Sequence, residues 1–373
     1  MCIRDRSKQL EIHPDKSCYL LTAGRENYNK VQEEINNNPL TYDNFVLKKK
    51  SQQKWLGDII HEDGPAASHY ATVVERRGRT TAAIFELKSV LQDIRLEAAG
   101  GIIAGLDIFE MSIIPMLLNN TGSWSAVDEK TMMELDKLQK LFLSVLLAVP
   151  LSAPGPALLW DTALLSMKNR IDRRKLNLAY HISLLDEGAL AKLVMKEQVK
   201  NSWPGLGREV KELCKELEIN DIISQEPEVS RASWKNTVKK AIKRRNESEL
   251  KDRIQNYSKL TDLQSETCCK RQKYLSSMTM AEARIKFRLR TFTFPCKMNQ
   301  VNDPRHRAAL WRCDSCSSLL DPDSQNNIDS QSHILWCPAY KKLREGKSLN
   351  SDKDMINYFR QVMLIRSKLK LTK

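Results

Sequence analysis

Cys313-Asp-Ser-Cys316, then sixteen residues, then His333-Ile-Leu-Trp-Cys337-Pro-Ala-Tyr340: this stretch carries the firmest chemistry in the chain. Two cysteines three positions apart can grip one ion from a tight turn. A histidine and a cysteine four positions apart fall on one face of a helical turn and can close a tetrahedron. Zinc favours such a Cys3His set, and four protein ligands leave no position open for water, so the expected site is structural and not catalytic. The intervening loop, Ser317–Ser332, is rich in Asp, Ser and Asn and can bend back on itself. The competing reading is four unrelated residues; ligand spacing in both halves favours the metal. The spacing therefore predicts a small zinc-stapled element with Cys313, Cys316, His333 and Cys337 as ligands.

Upstream of this element the charge is one-sided. Arg231–Gln300 holds 18 Lys and Arg against 6 Asp and Glu, a balance of +12 in a chain whose formal net charge is +14. Trp234, Val238, Ile242, Leu250 and Ile254 recur at helical spacing as an apolar stripe, which leaves Lys235, Lys239, Lys243 and Arg245 on the wet side. A second cluster lies in Ala283–Phe292, where Arg284, Lys286, Arg288 and Arg290 alternate with Ile285, Phe287 and Leu289. Extended, that segment would line its bases along one face; helical, it would spread them around the axis. A charge run is most often a solvated surface. The concentration of this excess instead favours RNA or DNA as partner, with Lys235, Lys239, Lys243, Arg284, Lys286, Arg288 and Arg290 as candidate phosphate contacts. No strongly apolar face accompanies the basic one, which disfavours a membrane surface.

The remaining chain reads as mainly helical with a small β portion at its start. Turn residues at Pro14-Asp15-Lys16 precede an expected strand at 18–22, and a short helix is expected near 28–36. Tyr42–Leu47 and Lys54–Ile60 read as two strands of a hairpin, with Gly57 marking a bulge or a close approach. From Pro65 the helical period takes over. The helix expected over 70–94 has Val73, Val74, Ile84, Leu87, Leu91 and Ile94 inward; a kink is expected at Pro115. Asp128 can cap a helix carrying Leu135, Leu138, Phe142, Val145 and Val149. Further helices are expected over 169–185, 189–200 and 204–217, with His181 packed in the core, and a linker over 226–230. The longest apolar run, Leu141–Val149, is too short to span a bilayer. Nine cysteines without a regular framework, and no secretory signal, suggest a reduced compartment, cytoplasmic or nuclear.

Taken in order, these stretches resemble the C-terminal part of the reverse transcriptase of a non-LTR (LINE-type) retrotransposon. Leu10–Leu21 resembles the palm segment just after the catalytic carboxylates, Lys54-Trp55-Leu56-Gly57 resembles the primer-grip hairpin with Trp for the usual Tyr, and the helices from Pro65 resemble the thumb. Ala283–Asn299 and the Cys3His stretch ending in Cys337-Pro-Ala-Tyr340 resemble the region after the thumb. The resemblance implies a palm remnant over 1–64, a helical thumb over 65–165, a helical connection over 166–260, a basic region with the zinc element over 261–345 and a basic tail over 346–373. It implies RNA-directed DNA synthesis at a nicked target, with Lys16 as the palm lysine assisting proton transfer to pyrophosphate, Lys54, Trp55, Leu56 and Gly57 positioning the primer end, and the zinc element holding RNA or target DNA. Nucleotidyl transfer needs carboxylates that hold two divalent ions. The chain has no Asp-Asp dipeptide, and Glu62-Asp63 follows the primer-grip stretch. Magnesium chemistry is thus expected only in a full-length polymerase, and this chain alone is expected to be inactive. Two other classes remain open at this level: a host nucleic-acid-binding module derived from such an element, and a non-catalytic helical scaffold.

Overall fold

The computed structural model describes residues 18–21, 25–42, 45–93, 99–223, 229–296, 312–316, 328–346, 348–349 and 351–371. The fold is mainly helical, with three two-stranded sheets among the described residues near its start. Strand β1 (Cys18–Tyr19) pairs in parallel with β4 (Lys48–Lys49), and β2 (Thr41–Tyr42) pairs antiparallel with β3 (Phe45–Val46). Helix α1 (Arg25–Asn37) lies between β1 and β2 in sequence.

The expected hairpin is corrected. Lys54–Ile60 is not one strand: β5 (Gln52–Trp55) and β6 (Asp58–His61) pair with each other, Trp55 opposite Asp58. Leu56 and Gly57 form the two-residue turn between them, with φ of 47° and 90°. Two successive positive φ values are what a tight hairpin turn requires, because they match the twist of the flanking strands. Tyr42–Leu47, the other expected strand, folds back on itself as β2–β3.

The chain divides into two compact units whose segments alternate along the sequence. The first comprises Met1–Thr80, Met116–Asp136 and Met167–Ala241. It holds the hairpin, the start of α2 (Pro65–Asp93), and the helices α7 (Met167–Ser183), α8 (Leu190–Lys200) and α9 (Leu206–Glu216). Trp124 is buried and stacks on His69 with ring centroids 4.6 Å apart. Gly122 lies so close to α7 that an added Cβ would stand 3.1 Å from the Arg174 carbonyl oxygen, tighter than an ordinary van der Waals contact. His181 is exposed at the end of α7, not packed in the core as expected.

The second unit comprises Thr81–Pro115, Lys137–Ser166 and Ile242–Lys373. It contains α3 (Gly101–Ile108), most of α5 (Glu129–Leu147) and α6 (Gly155–Thr162). Phe109 and Phe142 stack at 3.9 Å in its core. The turn Phe109–Ile113 is π-helical and runs into α4 (Ile114–Leu117). Pro115 accounts for this: it has no N–H to return to the preceding turn, and a widened turn relieves the mismatch. Asp128 caps α5 as expected, its carboxylate accepting the Thr131 N–H at 2.8 Å.

In α2, Val73, Ile84 and Leu87 are buried as expected, whereas Val74 is exposed; the side chains of Leu91 and Ile94 lie outside the described residues. Helix α10 (Arg231–Gln255) buries Trp234, Val238, Ile242, Leu250 and Ile254, the five positions of the expected stripe. Lys235, Lys239 and Lys243 are exposed along it, while Arg245 is largely buried and pairs with Glu249. Residues 226–228 of the expected linker lie outside the described residues; the single-turn helices α11 (Thr261–Gln264) and α12 (Tyr274–Ser277) follow α10.

Candidate metal centre and basic surfaces

Four ligand atoms come together in the second unit. The side chains of Cys313, Cys316, His333 and Cys337 converge so that one ligand atom from each lies within 4.8 Å of all the others. A tight turn carries the first pair, Cys316 N–H donating to the Cys313 carbonyl at 3.3 Å. Helix α14 (Gln331–Trp336) carries His333 and delivers Cys337 at its end. Ser330 caps that helix, accepting the His333 N–H at 3.0 Å, which fixes the first turn on which the imidazole stands.

The spacing fits coordination and excludes covalent pairing. Cys313 Sγ and Cys337 Sγ are 3.9 Å apart, and Cys316 Sγ lies 3.4 Å from His333 Nε2. A disulfide would need about 2.05 Å. A tetrahedral ion with metal–sulfur bonds of about 2.3 Å has sulfur–sulfur edges of about 3.8 Å. All three thiols are buried.

Electrostatics point the same way. The Cys313 sulfur accepts from the Cys337 thiol and from His333, which pulls it down to about 3. Burial pushes Cys316 up to about 11, and Cys337, donating to Cys313, is pushed above its usual value. Ionising Cys313 thus opposes ionisation of the other two sulfurs. A divalent cation at its centre supplies the charge that lets all three sulfurs ionise.

Around the ligands lies a shell that sequence reading did not identify. Tyr340 Oη is hydrogen-bonded to Ser315 Oγ at 2.6 Å and accepts from Arg366 Nε at 3.0 Å. Arg366 grips Asp329 with both terminal nitrogens, at 2.5 and 3.2 Å. Burial alone would pull Arg366 down, but Asp329 and Tyr340 outweigh it and hold the guanidinium charged. Arg344 donates to the Cys337 carbonyl at 2.8 Å, and the Tyr358 hydroxyl donates to the Ile334 carbonyl. Arg366 and Tyr358 stand on α16 (Asp352–Leu371), whose Ile356, Phe359 and Val362 are buried in one apolar cluster with the three cysteines. The segment read as a basic tail is thus a wall of the Cys3His cluster.

The seven basic candidates separate into two groups. Lys235, Lys239 and Lys243 share one row of α10 and face solvent. The other four lie on α13 (Met280–Arg290), helical throughout and opened by a capping box at Thr279 and Glu282. Arg284 donates to the Leu146 carbonyl at 2.9 Å and Arg288 to that of Ala148. These oxygens belong to the last turn of α5 and the residue beyond it, where helical carbonyls lack an internal donor. Arg290 holds Asp161 at 3.1 Å and Glu266 at 2.6 Å. Tyr274 Oη also donates to Asp161, at 2.6 Å, and Trp160 Nε1 to Glu266, at 2.7 Å, completing a partly buried polar network. Lys286 pairs with Asp352.

In the first unit, Lys54, Trp55, Leu56 and Gly57 form the end of the β5–β6 hairpin. Trp55 is 64% and Leu56 79% exposed, an apolar tip in solvent. The turn behind it is held firmly. Arg76, buried in α2, donates to the Gly57 carbonyl at 2.8 Å, to Asp58 at 2.5 Å, to Leu117 O at 3.1 Å and to Asn119 O at 2.8 Å. Asn120 Nδ2 donates to Leu56 O at 2.9 Å, and Lys54 pairs with Glu75 at 2.8 Å. Lys16 lies outside the described residues.

No protein-family model, curated protein or solved structure matches this chain. Among the described residues no helix is long and apolar enough to cross a membrane.

Proposed function

We propose that this chain is the C-terminal part of a non-LTR retrotransposon reverse transcriptase, and that it holds template–primer or target nucleic acid without itself polymerising. The observation that carries the reading is the hairpin tip. Lys54-Trp55-Leu56-Gly57, the stretch that resembles a primer grip, is a tight turn with two exposed apolar side chains on a braced backbone. An exposed apolar tip suits contact with the sugars and base of a primer end. The exposed lysine row of α10 suits phosphates. In this reading the ion of the Cys3His set is zinc, matched by three thiolates and an imidazole in a closed tetrahedron, and it staples the element with no part in chemistry.

The test uses purified, reduced chain. Elemental analysis should find one zinc per chain, and Cys313→Ser should lose it. Affinity for a recessed primer–template should fall steeply between low and moderate salt. Trp55→Ala with Leu56→Ser should weaken binding to the recessed end more than to blunt duplex. No Mg²⁺-dependent primer extension is expected. Salt-insensitive binding, or extension by this chain alone, would overturn the reading.

A further inference from the structure

Trp336 is 76% exposed, although its neighbours point the other way: Ile334 of α14 and Cys337, just beyond the helix, are fully buried. Turning an indole to solvent leaves roughly 150–250 Å² of largely apolar surface wet. The backbone that presents it is held on both sides. His333 and Cys337, three residues before and one after, both belong to the metal set. Arg344 holds the Cys337 carbonyl, and Tyr358 donates to that of Ile334. The indole is therefore presented by a fixed support.

Beyond Cys337 the chain makes one 3₁₀ turn, Pro338–Tyr340, and enters α15 (Lys341–Arg344), where Lys341 and Lys342 are exposed. Lys341 and Lys342 stand five and six residues beyond Trp336, so the chain between them spans at most about 22 Å. An aromatic face with two ammonium groups in that range combines what a base and its flanking phosphates require. In a duplex the faces of paired bases are stacked on one another, so an indole platform selects unpaired ones.

We infer that Trp336 is a stacking platform for an unpaired base of single-stranded nucleic acid, with Lys341 and Lys342 meeting the neighbouring phosphates. The inference rests on the nucleic-acid reading given above and adds to it the strandedness and the residue that reads it.

The test measures binding of the zinc-loaded full chain to a fluorescent 20-nucleotide oligo(dT), to oligo(rU) and to a blunt duplex. Stacking is worth about 1–3 kcal/mol per base, so Trp336→Ala should weaken single-strand binding roughly 5- to 150-fold. Trp336→Phe should retain most of the affinity. Duplex binding and thermal midpoint should stay unchanged. Trp203→Ala, which removes another exposed tryptophan, should have no effect. If wild type binds the single strands and Trp336→Ala binds them equally well, the platform is refuted and the broader reading stands. If wild type binds neither single strands nor duplex, both are refuted, and a protein partner becomes the occupant to seek.

Discussion

Replacing Arg76 with Met removes a buried guanidinium while keeping most of its aliphatic volume. Arg76 is 3% exposed in its side chain and donates to three carbonyls and to Asp58, whose side chain is 22% exposed. Removing one partner of a buried ion pair typically costs about 3–5 kcal/mol. Asp58 can take on water once released, so the lower end applies, about 3 kcal/mol. The loss should be local. Ile59 N–H is bonded to Thr72 Oγ1 and His61 N–H to Ser68 Oγ, both at 2.8 Å, and these ties hold the far end of the hairpin without Arg76. At 1.4 kcal/mol per tenfold, amides of the turn should exchange with solvent about 100-fold faster than in wild type. Hydrogen exchange resolved over 52–61 measures this directly. Arg76→Lys should fall between the two, because one ammonium cannot serve both arms of the guanidinium. Turn amides that exchange within threefold of wild type in Arg76→Met would refute the argument that this arginine holds the hairpin.

Chelation of a metal-loaded sample should unpack the apolar cluster around the cysteines, read as loss of near-ultraviolet dichroism from Tyr340, Tyr358 and Phe359; an unchanged spectrum after the metal is shown to have left would argue against a stapling role. Changing Lys235, Lys239 and Lys243 together to Gln should lower the slope of log affinity against log salt by about 2–3, with little change in melting temperature. Asp128→Ala should cost about 1 kcal/mol of stability and Asp128→Asn only a fraction of that, measured by denaturant titration. The same cap predicts a pH dependence. Burial pushes the Asp128 carboxyl up, but its interaction with Thr131 outweighs this and holds it below the usual value. The cap therefore contributes fully above about pH 4 and is lost as pH falls through the lowered folded value, a loss that Asp128→Asn should not show.

What the sequence discloses follows from how local each interaction is. The Cys3His ligands, the buried stripe of α10 and the Asp128 cap are set by spacings of three and four residues, and all three are present in the fold. The hairpin turn is different. Leucine is no natural turn residue at positive φ, and Leu56 is held there in part by Asn120, 64 residues away. No local signal announces such a bond. The arginines of α13 make the same point: their alternation with apolar residues looks alike whether they face phosphates or carbonyls. Arg284 and Arg288 reach carbonyls 138 and 140 residues upstream, which only tertiary structure can supply. Likewise α16 reads as a basic run until its inward side, Ile356, Phe359 and Val362, has something to pack against.

That last helix also sets an order of events during synthesis. A chain emerges from the ribosome N-terminus first, so all four ligands are made before the residues of α16. Until the helix follows, the sulfurs lack part of their apolar wall, and Asp329 and Tyr340 lack the Arg366 guanidinium. In the zinc reading proposed above, metal capture and oxidation by the surroundings compete in that interval. Its length, set by translation past residue 337, decides how much of the nascent protein matures with its ligands intact.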